Sequence, residues 1–280
     1  MKNSLDLSRA ISRGTLEVYS LINEIAQELN ISYVVVGATA RDLVLHHGYG
    51  ARIKRATTDI DFGLQVESWA DFEKVKAKLI ENGYTETRHA HRLISPKKTV
   101  IDIVPFGSLE DPLSNIQWPP DGDFEMSVLG FQEAHDHAIH VVLQQEPLVE
   151  VSVVAPHGLA LLKLISWPER DVALKKNDAK DLAYLIETYE ELPMIADRAY
   201  QEDIMERYDW DLTLACAHIL GKDSATIASD KTKSRILEIL DNNLTDKDSS
   251  KLVTDMSGSN DFDEKFERLV AYSNGFREVA

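Results

Sequence analysis

Three aspartates stand out for what surrounds them. In Asp59-Ile60-Asp61-Phe62, acidic and apolar residues alternate with the period of a β-strand, so both carboxylates share one face and Ile60 and Phe62 take the other. Two like charges this close repel each other unless a cation lies between them. A divalent metal ion, hard and oxygen-seeking, suits them. The competing reading is a solvated edge strand, and a D-x-D pattern by itself does not separate the two. Asp102 adds weight. It interrupts the apolar run Val100-Ile101-Asp102-Ile103-Val104. A lone buried carboxylate there costs on the order of several kcal/mol, so it must meet a metal or a donor such as Arg92 or Arg55. Three aspartates on two strands fit a two-metal site that clamps the attacking and leaving oxygens of a phosphoryl-type transfer.

Other positions could complete such a site. Gly37 closes the β-branched run ISYVVV and opens a helix, so its turn offers backbone N–H groups and the positive end of a helix dipole to an anion. Thr39 adds a hydroxyl. The plainer reading is a tight strand-to-helix turn. Lys163 is the one Lys, Arg, Asp or Glu between His157 and Pro168, which leaves it snorkelling to solvent or meeting an anion. Asp178 and Asp181 lie three apart on a helix and could pair with Lys175 or Lys180 at the surface. Arg52-Ile53-Lys54-Arg55 and Arg88-His89-Ala90-His91-Arg92 flank the aspartate strands, where phosphates would lie, although a solvated loop would look the same. His135, His137 and His140 lack an evident fourth zinc ligand and read as surface histidines.

The elements that must hold these residues follow from periodicity. An amphipathic helix is expected over residues 5–29 and a buried strand over 31–36. A helix follows Gly37, with Ala40, Leu43, Val44 and His47 on one face. The segment 46–58 reads as a loop and DIDFGLQV as a strand. Ser68 caps a helix reaching about Asn82. RLIS and KKTVIDIVPFG are two strands turning at Ser95-Pro96. A Pro-rich loop over 111–122 precedes a hairpin formed by HAIHVVL and LVEVSVVA. Past Pro156 every pattern is helical. The expected fold class is therefore α/β (α+β) with a mixed sheet over 1–155, followed by an all-helical domain over 156–280.

Composition narrows the setting. With 44% hydrophobic residues the 280-residue chain is globular. It has no apolar run long enough for a membrane span and no signal-peptide core at residues 1–20, so a cytoplasmic location is expected. A single cysteine, Cys216, rules out an internal disulfide framework. The net charge of −17 argues at first against nucleic acid. Residues 1–110 are nevertheless balanced, with 14 basic and 14 acidic side chains, and no Lys or Arg occurs from Asp111 to Leu162. The acidity belongs to the second part, where it serves solubility or meets a basic partner.

Taken together, VVVGATARDLVL, RATTDIDF and VIDIV resemble the polymerase β-like nucleotidyltransferase pattern of a Gly-Gly/Ser turn, an Asp-x-Asp pair and a third Asp over residues 34–104. Within that superfamily the chain looks most like the AbiEii/MenT-type toxins. The added features are Arg55-x-Thr57-x-Asp59-x-Asp61, Lys163 and Lys180-Asp181-Leu182. The resemblance implies that Asp59 and Asp61 bind Mg2+ in a two-metal site, with Asp102 as third ligand or general base. It implies that Gly37, Thr39, Arg55, Thr57 and Lys163 contact the nucleoside triphosphate (NTP), and that Asp181 supports them from a helical domain that closes the nucleotide site. Ala38 stands where the pattern has a second small Gly or Ser. The implied reaction moves a nucleoside monophosphate from an NTP to an acceptor hydroxyl, with the tRNA 3′ end the leading acceptor and a cognate antitoxin as partner. Two alternatives stand beside it: transfer to an aminoglycoside-type small molecule, and a nucleotide-binding regulator without turnover.

Overall fold

The computed structural model describes residues 4–53, 57, 59–119, 124–258 and 260–280. The chain forms two compact units, Met1–Gly48 with Arg55–Ala155, and Tyr49–Lys54 with Pro156–Ala280.

The first unit is built on strands β1 (Ser4–Asp6), β2 (Ser32–Val36), β3 (Ile60–Val66), β4 (Thr85–Glu86), β5 (Arg92–Ile94), β6 (Val100–Gly107), β7 (Asn115–Gln117), β8 (Glu125–Ser127), β9 (Ile139–Gln144) and β10 (Val149–Val153). Eight of them make one mixed sheet in the order β1-β9-β10-β2-β3-β6-β5-β4, and β7 with β8 forms a separate ribbon. The helices are α1 (Arg13–Leu29), α2 (Gly37–Arg41), α3 (Trp69–Glu81) and α4 (Phe131–Asp136), with a π-helical segment, Asp42–Gly48, continuing α2. The core lies at the middle of the sheet. Val34, Val35, Phe62, Ile101 and Ile103 are essentially inaccessible. Tyr19 of α1 and Tyr33 of β2 meet the edge of the Phe62 ring, with centroids 5.9 and 5.8 Å away. Removing an aromatic ring from such a core costs roughly 3–5 kcal/mol.

Two local expectations change. The helix expected from residue 5 begins at Arg13, because the Ser12 side chain caps it by accepting from the Thr15 N–H. Residues 4–6 instead pair in parallel with β9, and the Leu7 N–H extends the ladder to the Val142 carbonyl at 2.8 Å. Part of the Pro-rich loop becomes β7, where Ile116 is buried, and Trp118 just past it is buried against Trp69 and Phe72, with ring centroids 5.2 and 5.5 Å away.

The second unit is helical: α5 (Pro156–Ser166), α6 (Val172–Thr188), α7 (Pro193–Gln201), α8 (Leu212–Ile227), α9 (Asp230–Leu244), α10 (Lys251–Met256) and α11 (Phe262–Val279). Asp171, Asp211, Ser229 and Ser250 cap α6, α8, α9 and α10 with side-chain oxygens. Helices α8 and α11 touch backbone to backbone. A Cβ on Gly221 would lie 1.9 Å from the Tyr272 carbonyl oxygen, and one on Gly275 would lie 1.8 Å from that of His218. No helix among the described residues is long and apolar enough to cross a membrane.

Candidate active site

Sheet register gathers the aspartates. Val36 of β2 lies opposite Asp61 of β3, Asp61 is level with Asp102 of β6, and Asp102 is opposite Arg92 of β5. Partners in register point to the same face, so Asp61, Asp102 and Arg92 form one row across three strands. Ile60, Phe62, Ile101 and Ile103 fill the opposite face and are buried. The apolar side of the alternation therefore anchors β3 and β6 in the core, and the acidic side is left at the strand ends.

Arg92 ties the row together. Its Nε and Nη2 donate to the two oxygens of Asp102 at 2.7 and 2.6 Å, and Nη2 lies 3.6 Å from Oδ2 of Asp59. The hydrogen bonds to Asp102 raise the affinity of the guanidinium for its proton, outweighing partial burial. Asp102 thus finds the donor that its apolar strand demands. Arg92 had been one of two arginines available for that role; the other, Arg55, lies outside the described residues, as does Lys54.

Gly37 meets this row directly. It opens α2 with φ +71°, the left-handed region that glycine adopts without penalty. The Asp61 carboxylate lies over its Cα, where a Cβ would stand only 1.9 Å from Oδ2. Thr39, two residues on, donates its hydroxyl to the Asp59 carbonyl at 2.5 Å and so fixes the entry to β3. Thr57 lines a groove with Thr39. Gly37, Thr39, Thr57, Asp59, Asp61 and Asp102 therefore lie at one end of the sheet.

The donor set suits a hard divalent cation in part. Asp59 and Asp61 supply carboxylate oxygens, and Oδ2 of Asp61 lies against the bare Gly37 Cα. Both oxygens of Asp102 are engaged by Arg92. Among the described residues no group of three or more acidic, histidine or cysteine side chains is arranged to hold a metal ion.

The β5–β6 turn stands at the same end. The Ser95 hydroxyl accepts from the Thr99 N–H at 2.9 Å, and the Lys98 N–H bonds the Ser95 carbonyl. This closes the hairpin with Lys98 at φ +68°. That conformation costs a residue with a Cβ about 1–2 kcal/mol. Lys97 is ion-paired with Glu17 of α1.

In the second unit, Lys163 of α5 neither snorkels nor stands open. Its Nζ lies 2.7 Å from Asp178 and 2.9 Å from Asp181, and the side chain is 12% exposed. The two aspartates share one face of α6 and are buried. The Ser166 hydroxyl and Arg170 also reach Asp178, at 2.9 and 3.4 Å. Burial works against the ammonium charge, but the two carboxylates outweigh it and hold Lys163 protonated above the usual lysine range. The surface pairs considered for Lys175 and Lys180 do not form with these aspartates. Lys175 instead lies over the Trp167 ring at 4.2 Å. His135 bonds Asp136 and His140 approaches Glu150, so the three histidines do not gather.

Comparison with known proteins follows from this geometry. The profile described as "Nucleotidyl transferase AbiEii toxin, Type IV TA system" matches residues 21–270. No curated protein sequence matches the chain. Among solved structures, ANT(2")-Ia in complex with adenylyl-2"-tobramycin is 13% identical, with a TM-score of 0.38 over 61% of this chain and 87% of that one. An antigenic nucleotidyltransferase-like protein from Paracoccidioides brasiliensis is 17% identical, with a TM-score of 0.40 over 74% and 94%. The Thermotoga maritima CCA-adding enzyme complexed with tRNA is 12% identical, with a TM-score of 0.27 over 96% and 80%. Likenesses this distant do not bear on the acceptor.

Proposed function

The chain belongs to the AbiEii nucleotidyl transferase toxin family and is a nucleotidyltransferase; from that premise we propose that it transfers a nucleoside monophosphate from an NTP to the terminal hydroxyl of an RNA, with the tRNA 3′ end as acceptor. The observation that carries this reading is the row Asp61–Asp102–Arg92 with Gly37 against the Asp61 carboxylate. It brings carboxylates and a glycine turn to the same end of one sheet.

Asp59 and Asp61 would hold Mg2+, with Asp102 beside Asp61 as the third carboxylate of the row, its oxygens held by Arg92. Metal bound there would supply a lowered pKa for the attacking hydroxyl and neutralise charge on the departing pyrophosphate. The chain's own groups do the rest. The Gly37 turn and the Thr39 and Thr57 hydroxyls approach the phosphates. Arg92 lies beside Asp59 and Asp102 and limits their mutual repulsion. Arg55, Lys163 and Asp181 remain assigned to nucleotide binding by the family resemblance. In the cell we place the enzyme in the cytoplasm, restrained by a cognate antitoxin.

Incubation with total RNA, Mg2+ and each labelled triphosphate in turn tests the reading. The expected result is label in a small RNA, abolished by Asp61→Asn with the melting temperature unchanged or raised, because one of two neighbouring like charges is removed. Label in no RNA but on a cationic small molecule would favour the aminoglycoside-type reaction. Full transfer by Asp59→Asn/Asp61→Asn protein would remove the metal-site assignment.

A further inference from the structure

Beside the aspartates, and distinct from their face of the sheet, the first unit carries a groove of about 520 Å³. Thr39 and Thr57 line it together with Asp42, His47, Lys97 and Lys98. Thr39 is also the residue that holds the Asp59 carbonyl, so the groove ends at the entry to β3.

Its charges are not symmetric. Asp42 is already neutralised by Arg41, whose Nη2 lies 2.7 Å away. Lys97 is matched by Glu17, and its stem runs across the start of α1 near Gly14. Lys98 makes no ion pair among the described residues. The same Lys98 occupies the left-handed position of the β5–β6 turn, where glycine or asparagine would fold more easily. A strained position occupied by an uncompensated cation at the lip of a hydroxyl-lined groove is a feature that folding does not require.

We propose that this groove takes the sugar–phosphate backbone of the polynucleotide acceptor, with Lys98 neutralising one phosphate at its lip. The proposal rests on the RNA-acceptor reading above and gives the acceptor a path to the aspartates along the first unit. The rival source of the same chemistry is the triphosphate of the NTP.

The test is steady-state transfer from labelled NTP to small RNA by the full chain and its Lys98→Gly, Lys98→Glu and Lys98→Arg variants. Each is measured at several salt concentrations, alongside NTP binding by calorimetry. Lys98→Gly suits the turn, so its melting temperature should hold or rise. Its KM for RNA should rise about fivefold, and the slope of log KM against log salt should fall by about one contact. Lys98→Glu should lose more, Lys98→Arg should restore most of the loss, and NTP affinity should hold in all three. If the parent labels RNA and Lys98→Gly and Lys98→Glu leave KM and slope unchanged, the groove does not carry the acceptor. If the loss falls on NTP affinity instead, the groove serves the triphosphate. Absence of RNA labelling by the parent itself would overturn the RNA reading and this proposal with it.

Discussion

Substituting Gly37 by alanine separates the backbone role of this residue from its service to Asp61. The left-handed φ of +71° costs a residue with a Cβ roughly 1–2 kcal/mol. The second effect is steric. The new Cβ would stand 1.9 Å from Asp61 Oδ2 and 2.7 Å from its Cγ, where real contacts essentially never fall below 3.0 Å. The carboxylate must therefore move by about 1 Å, and displacements of that size cost on the order of a hundredfold in rate. Gly37→Ala should lose about 1–2 kcal/mol in urea unfolding, a fall of roughly 2–8 °C in melting temperature. Transfer of labelled nucleotide should fall about a hundredfold, equivalent to ~2.7 kcal/mol of barrier. Gly50→Ala is the control. Gly50 has φ +82° with nothing within 4 Å of its Cβ position, so the same backbone cost should appear with activity retained. If Gly37→Ala transfers within threefold of the parent, the Asp61 carboxylate is not where the chemistry needs it.

Arg92→Ala removes the bidentate partner of Asp102, and since Arg92 is itself about a third exposed the loss should be modest, about 1–2 kcal/mol in urea unfolding. The double variant Arg92→Ala/Asp102→Asn should recover most of that loss, and strictly additive losses would show that the pair is not coupled. Lys163→Met strands two buried aspartates and should cost roughly 3–5 kcal/mol. Because the Lys163 pKa is raised on folding, its contribution is fully present below the ordinary lysine range and is lost as pH rises through the folded value. The gap in urea midpoint between parent and variant should therefore hold from pH 8 up to the ordinary lysine range and narrow only as pH rises beyond it, and a gap that stays constant there would refute the charge-based account.

The aspartate pair and its anchoring face were legible because a period of two needs only adjacent residues. The helical second part and the cap at Ser68 were legible for the same local reason. Asp102 announced a need for a partner, but which arginine answers depends on the register of β5 against β6, fixed by the Ser95–Thr99 turn. Residues 4–6 carry no strand signal of their own, since their structure comes from parallel pairing with β9, far along the chain. Lys163 was readable as a problem, a charge in an apolar helix. Its solution, two carboxylates three residues apart on α6, appears only when α5 and α6 pack. The Gly37–Asp61 contact likewise belongs to tertiary structure, although a glycine between strand and helix pointed to the place.

The glycines shared by α8 and α11 have a consequence for how the protein is policed in the cell. Glycine inside a helix costs up to about 1 kcal/mol relative to alanine, so Gly221 and Gly275 weaken each helix taken alone. That weakness is offset only when the two backbones close on each other. Until α11 docks, the Tyr272 and Phe276 rings that it buries stay in water. A copy with α11 missing or undocked should therefore advertise itself to chaperones and proteases, which ties the abundance of active enzyme to the seating of one helix far from the aspartates in sequence.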